Sequence, residues 1–119
     1  MTAWLRGMRA CWGLALLITP RPVLRTVGRV DRPVPRATLV AIRALGVRHL
    51  IQALVEAVGP WPAVGYLGAG ADGLHALGDV GLAVAAPRWR RGALIDTTIA
   101  AVFAASTIRS LRSDAHVAT

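Results

Sequence analysis

Four apolar stretches alternate with short polar or proline-bearing joints along this chain. They cover about residues 4–19, 37–58, 61–86 and 92–108. The first stops at Pro20, the second at Gly59-Pro60 and the third at Pro87, all poor continuations for a helix. The pattern predicts an all-α chain of four helices forming a single domain over residues 1–119. Crossing a bilayer takes about 20 apolar residues, with a range of roughly 17–25. Stretches two, three and four reach that range, whereas the first is short for a span. The expectation is an integral membrane four-helix bundle with at least three spans. Helices are the only open-chain way across, because each unpaired backbone group in lipid costs several kcal/mol.

The joints carry their own pattern. Residues 21–36 read RPVLRTVGRVDRPVPR, in which Val23, Leu24, Val27 and Val30 alternate with arginines. Two readings of this joint stand side by side: an amphipathic piece on an anionic membrane surface, and a plain solvated linker. The second joint, Gly-Pro-Trp-Pro at 59–62, is a tight turn that places Trp61 where an amphipathic ring prefers to lie, at the membrane interface. The joint before the fourth stretch carries Arg88, Arg90 and Arg91. Cytoplasmic loops are enriched in arginine. If stretches two and three both cross, loops 21–36 and 88–91 share one side, predicted cytoplasmic, and the turn at 59–62 lies outside. If the first stretch also spans, both termini face outward.

Composition agrees with a membrane setting. Hydrophobic residues make up 55% of the 119 positions and charged ones 17%, against about 25% charged in soluble domains. Mean hydropathy is +0.52. The net charge of +8 comes entirely from arginine, with no lysine in the chain. These arginines cluster between apolar stretches and form no basic stripe interleaved with aromatics, which argues against nucleic acid as a partner. A single cysteine, Cys11, rules out an intramolecular disulfide framework. The N-terminal stretch lacks a small-x-small cleavage site before Thr19-Pro20, so it is expected to be retained.

Ionisable residues inside the apolar stretches are the unusual feature. Stretch two holds Arg43, Arg48, His49, Gln52 and Glu56; stretch three holds Asp72, His75 and Asp79; stretch four holds Asp96. At 100° per residue, Arg48, His49, Gln52 and Glu56 share one face about 100° wide, while Arg43 points the other way. Asp72, His75 and Asp79 fall within about 60° of one another. Counted from the cytoplasmic ends, Arg48, His49 and His75 all lie about 16–18 Å deep, with Asp72 about 21 Å deep. Asp79, Arg43 and Asp96 form a shallower layer at about 7–10 Å. A lone ionisable residue at mid-bilayer costs about 2.5–3.5 kcal/mol or more, and opposite charges on a shared face reduce that cost. The expectation is a buried polar network of Arg48, His49, Gln52, Asp72, His75, Asp79 and Asp96. Arg6, Arg9 and Arg43 are expected to snorkel. Gly65, Ala69 and Gly73 have the small-xxx-small spacing that lets helices approach.

Two chemical readings of this set compete with a packing role. Intramembrane Asp, His and Arg can line a proton or ion path. His49 and His75, at nearly equal depth, also suit two-imidazole ligation of haem iron. Hydrogen bonds to the nearby Arg and Asp are the commoner use of such histidines, so no cofactor or metal is expected. The chain carries no serine elbow, paired cysteine, HExxH or phosphate-binding glycine loop, so it is not expected to be an enzyme.

The run RALGVRHLIQ at 43–52, DGLHAL at 72–77, and ALID at 93–96 after an arginine cluster resemble a group of small multi-span membrane proteins of actinobacteria. The resemblance spans residues 11–105. It implies the four-span architecture and an actinobacterial plasma membrane, and it implies no activity. Asp79 departs from the group's pattern. The functional expectation is an accessory component of a membrane complex, with a protein partner or a homo-oligomer in the bilayer. The alternative is an oligomeric carrier of protons or small solutes.

Overall fold

A computed structural model describes residues 3–59 and 61–117. It is all-helical, with no strand among the described residues. Helix α1 runs Ala3–Ile18 and α2 Pro20–Thr26. Helix α3 runs Arg36–Val58, α4 Pro62–Ala85 and α5 Arg90–Val117, with a 3₁₀ turn at Pro87–Trp89 before α5.

The breaks follow from proline and glycine. Pro20 cannot donate to the turn before it, so α1 ends and α2 begins with proline at its first position. Thr19 spans the break, with its N–H and hydroxyl both donating to Ala15 O and its own carbonyl accepting from Val23 N. Helix α2 unwinds through Gly28 and Arg29, and Arg29 holds a left-handed φ of 52°. Gly59 turns extended at φ −140° and ends α3. Of the predicted turn at 59–62, Pro60 lies outside the described residues. Pro87 ends α4 and opens the 3₁₀ turn.

The four long helices run up-down-up-down. Helix α1 lies along α3 and α4 lies along α5, while α3 and α4 meet only sparsely. The first pair packs backbone to backbone. A Cβ added at Gly46 would lie 2.6 Å from Gly13 O and 2.8 Å from Leu17 N, and one at Gly13 would lie 2.9 Å from Gly46 O. The buried apolar positions are mostly small: Ala53, Ala69, Ala83, Ala93 and Ala100, with Leu16, Val30, Leu39 and Phe103 as the larger ones. The apolar bulk points outward instead, including Val40, Ile51, Leu54 and Val58 on α3 and Leu67, Leu74, Leu77 and Val84 on α4.

Two helical stretches are long and apolar enough to cross a bilayer, Arg36–Val58 and Pro87–Val117, with mean hydropathies of 1.4 and 1.3 over their most apolar windows. Both Arg-rich joints lie at the same end of the bundle and touch: Arg88 donates to Pro33 O at 2.7 Å and Arg91 to Val27 O at 3.0 Å.

Two expectations need correction. The fourth stretch, expected to end near residue 108, continues as α5 to Val117, because nothing between Ser110 and Val117 is a helix breaker and Ser113 bonds back to Arg109 O. Of the two readings of the joint at 21–36, the structure favours a short helical piece, since α2 makes about two turns before the extended Pro-rich part. Gly73 faces open space, and the close approach falls at Gly65, whose added Cβ would lie 2.9 Å from a Leu111 methyl, and at buried Ala69.

Candidate functional site

Two polar clusters, stacked along the bundle, occupy the space where the helix pairs meet. The deeper one is built on Asp72. Its carboxylate accepts from Arg9 Nη2 at 2.8 Å and from Arg48 Nη2 at 2.9 Å, with Gln52 Nε2 at 3.4 Å. Gln52 Nε2 also reaches Glu56 Oε1 at 3.4 Å, and Glu56 stands 4.0 Å from Arg9. Asp72 and Arg9 are both 0% exposed. The Arg9 guanidinium carbon lies 4.4 Å from the Phe103 ring centroid, so an aromatic face covers the side of the cation that the carboxylates leave bare. Asp72 therefore ties α4 to both α1 and α3 at once.

Arg9 is the residue that sequence reasoning misplaced. Near the start of a short stretch, beside Arg6, it reads as a snorkelling side chain. In the bundle it points inward, because Arg9, Gly13 and Leu16 form the buried stripe of α1. That stripe was the available signal: positions i, i+4 and i+7 share one helix face. Arg43, by contrast, is exposed as expected.

His49 is buried at 0% exposure but stays outside the hydrogen-bond network. Among the described residues neither ring nitrogen has a hydrogen-bond partner, and the ring lies tilted against Phe103 with centroids 6.0 Å apart. The imidazoles of His49 and His75 thus serve different neighbours, and the two-imidazole haem geometry finds no support in these contacts.

The second cluster lies nearer the Arg-rich end. His75 Nε2 is 2.7 Å from Asp96 Oδ2 and 3.3 Å from Asp79 Oδ2, with His75 and Asp79 one turn apart on α4. Trp12 Nε1 donates to the other Asp96 oxygen at 3.2 Å. The cluster thereby joins α4, α5 and α1. Below it, Thr97 Oγ1 reaches Ala76 O at 3.5 Å.

This cluster forms part of the wall of a cavity of about 490 Å³. Trp12 and Leu16 of α1, Val23, Leu24 and Val27 of α2, and Ile42 and Leu45 of α3 supply much of its apolar lining. Leu82, Trp89, Gly92 and Ala93 close it from the other pair, and Thr38 stands at its wall. A cavity of this size accommodates a small organic molecule. Among the described residues, its ionisable wall groups are His75, Asp79 and Asp96.

The sequence-predicted set thus divides. Arg48, Gln52 and Asp72 meet in the deep cluster; His75, Asp79 and Asp96 meet at the cavity; His49 packs alone against Phe103. Trp12→Phe removes the donor to Asp96 and is expected to lower stability by about 1.5–3 kcal/mol, the range for a hydrogen bond to a charged group. Thermal unfolding in mild detergent measures it, and an unchanged midpoint would show that this bond carries nothing. Comparison with known protein families, curated proteins and solved structures finds no match to this chain.

Proposed function

We propose that this chain is a multi-pass plasma-membrane protein that takes up a small solute in the cavity at its Arg-rich, cytoplasmic end. The carrying observation is the composition of that cavity: a largely apolar wall in which an imidazole and two carboxylates meet. Ionisable groups at membrane depth mark substrate or ion pathways. Small buried residues with the large apolar ones turned outward suit a bundle whose solvent is lipid. Contact between the two Arg-rich joints supports placing both on one side. In this reading α1, α3, α4 and α5 all cross, and the Asp72 cluster holds the bundle in register while the His75 cluster meets the solute.

The topology is tested in a Cys11→Ser background. Asp31→Cys should react with a membrane-impermeant maleimide only from the cytoplasmic face, and Ala63→Cys only from the opposite face. Labelling of both from the same face sinks the multi-pass reading.

A second reading, an accessory subunit of a membrane complex, draws on α4. Gly70, Gly78 and Gly81 leave open space around them and stand among exposed Leu74, Leu77 and Val84, a surface on which another helix can approach closely. A mild-detergent pull-down from the native membrane separates the two readings. A stoichiometric partner favours the subunit, and a clean homo-oligomer favours the carrier.

A further inference from the structure

The His75 cluster has too few protons and too many oxygens for a set of ordinary hydrogen bonds. One imidazole nitrogen faces two carboxylates, 2.7 Å from Asp96 and 3.3 Å from Asp79. A single N–H cannot satisfy both. Asp79 Oδ2 is left closed off from solvent with no hydrogen bond among the described residues. Its companion Asp96 is held on the far oxygen by the Trp12 N–H, which leaves Oδ2 turned to the cluster. Two carboxylates meeting in an apolar wall also leave negative charge uncompensated, and the nearest arginine cluster is already spent on Asp72.

We infer that His75, Asp79 and Asp96 form a binding site for a divalent transition-metal ion of the Zn²⁺, Mn²⁺ or Fe²⁺ class. One ligand atom from each residue lies within 4.8 Å of the others. Ligands about 2.1 Å from an ion stand about 3.0–3.4 Å apart in tetrahedral or octahedral geometry. The His75–Asp79 separation of 3.3 Å lies within that range, and the His75–Asp96 separation of 2.7 Å is about 0.3 Å short of it. Acceptors around an organic ammonium, each about 2.8 Å from its nitrogen, stand about 4.6 Å apart, so the cluster is too tight for an amine. One imidazole with two carboxylates is a mixed nitrogen and oxygen set that suits these ions better than Cu(I) or other soft metals. Two carboxylates and a neutral imidazole neutralise a 2+ ion, which is the charge state a low-dielectric wall tolerates best. Three protein ligands leave positions open toward the cavity. The Trp12 bond to Asp96 is the outer contact that orients a ligand. The assignment rests on the cavity reading above and names what that cavity holds.

The test uses the full chain, stripped with chelator and reconstituted in lipid nanodiscs. Titration with Zn²⁺ should show one ion bound per chain, and Co²⁺ in its place should give visible d–d absorption. His75→Ala and Asp79→Asn should each weaken Zn²⁺ binding by at least about 100-fold, more than loss of an outer contact costs. Asp31→Asn, in the exposed joint, should leave binding unchanged. If His75→Ala fails to fold, Asp79→Asn carries the comparison. Absence of stoichiometric Zn²⁺ and Co²⁺ binding by the unmutated chain overturns the assignment, and so does tight binding that survives Asp79→Asn. A separate reading guards the cavity itself: Thr38→Cys, in the Cys11→Ser background, should react with maleimide. A reactive thiol with no bound ion ends the metal assignment and spares the cavity; an unreactive thiol ends the cavity reading, and the metal assignment that rests on it.

Discussion

Asp72→Asn is expected to abolish most folded yield in detergent, while Asp114→Asn near the end of α5 leaves yield unchanged. The reason is the number of charges that depend on one carboxylate. Asp72 answers both Arg9 and Arg48, and Arg9 is fully buried with Nε and Nη1 already without hydrogen bonds. Removing one partner of a buried ion pair costs about 3–5 kcal/mol, because the remaining charge is left uncompensated. Here two cations lose their main partner, and Glu56, 4.0 Å from Arg9, is too far to replace it. A total stability of about 5–15 kcal/mol does not absorb a loss of that size comfortably. Replacing the cluster as a unit should behave differently. Arg9→Met with Arg48→Met, Asp72→Leu and Glu56→Gln removes all four charges of the cluster, and such exchanges are often neutral or stabilising. Size-exclusion recovery and thermal unfolding of the single and quadruple variants measure both. A single variant as stable as the parent would show that Asp72 does not hold the helices.

Gly46→Leu should be nearly as damaging, by a different route. A Cβ at Gly46 meets backbone atoms of α1, Gly13 O at 2.6 Å and Leu17 N at 2.8 Å. Backbone in a helix cannot rotate away as a side chain can, so α1 must retreat from α3. Overpacking alone costs about 1–3 kcal/mol. Retreat of α1 also draws Arg9 from Asp72 and Trp12 from Asp96, two of the contacts that join the helix pairs. Gly46→Ala should show the same effect more weakly, and Gly81→Ala, where nothing lies within 4 Å, should show none. Thermal midpoints of the three variants give the order. Equal midpoints for Gly46→Ala and Gly81→Ala would mean that the crossing is looser than its geometry.

Much of the architecture was written in the spacing of prolines and glycines. The second and third stretches match α3 and α4 to within a residue or two, since Gly59, Pro62 and Pro87 each mark a boundary. The depth count placed Arg48 near Asp72, because rise per residue is nearly constant in helices. Pairings among helices were less legible. Depth alone set Asp79 level with Arg43, yet Arg43 faces outward and Asp79 turns to His75, since rotation about each helix axis decides partners and depth does not. Arg9 escaped for the same reason: its inward direction depends on the Gly13–Gly46 crossing, a contact between distant segments. The fourth helix overran its predicted end because hydropathy marks where a helix is apolar, not where its hydrogen bonds stop.

The pairing of Arg9 with Asp72 also constrains how the chain is made. The two residues are 63 positions apart, and ribosomes add about 5–20 residues per second. The first helix therefore emerges carrying a cation whose partner does not exist for about 3–13 seconds. During that interval α1 lacks the counter-charge that makes its buried position tolerable. In the multi-pass reading proposed above, the commitment of α1 to the bilayer is provisional until the third long helix arrives, and biogenesis then calls for either a surface-resting intermediate or an insertase that shelters Arg9 until Asp72 has been synthesised.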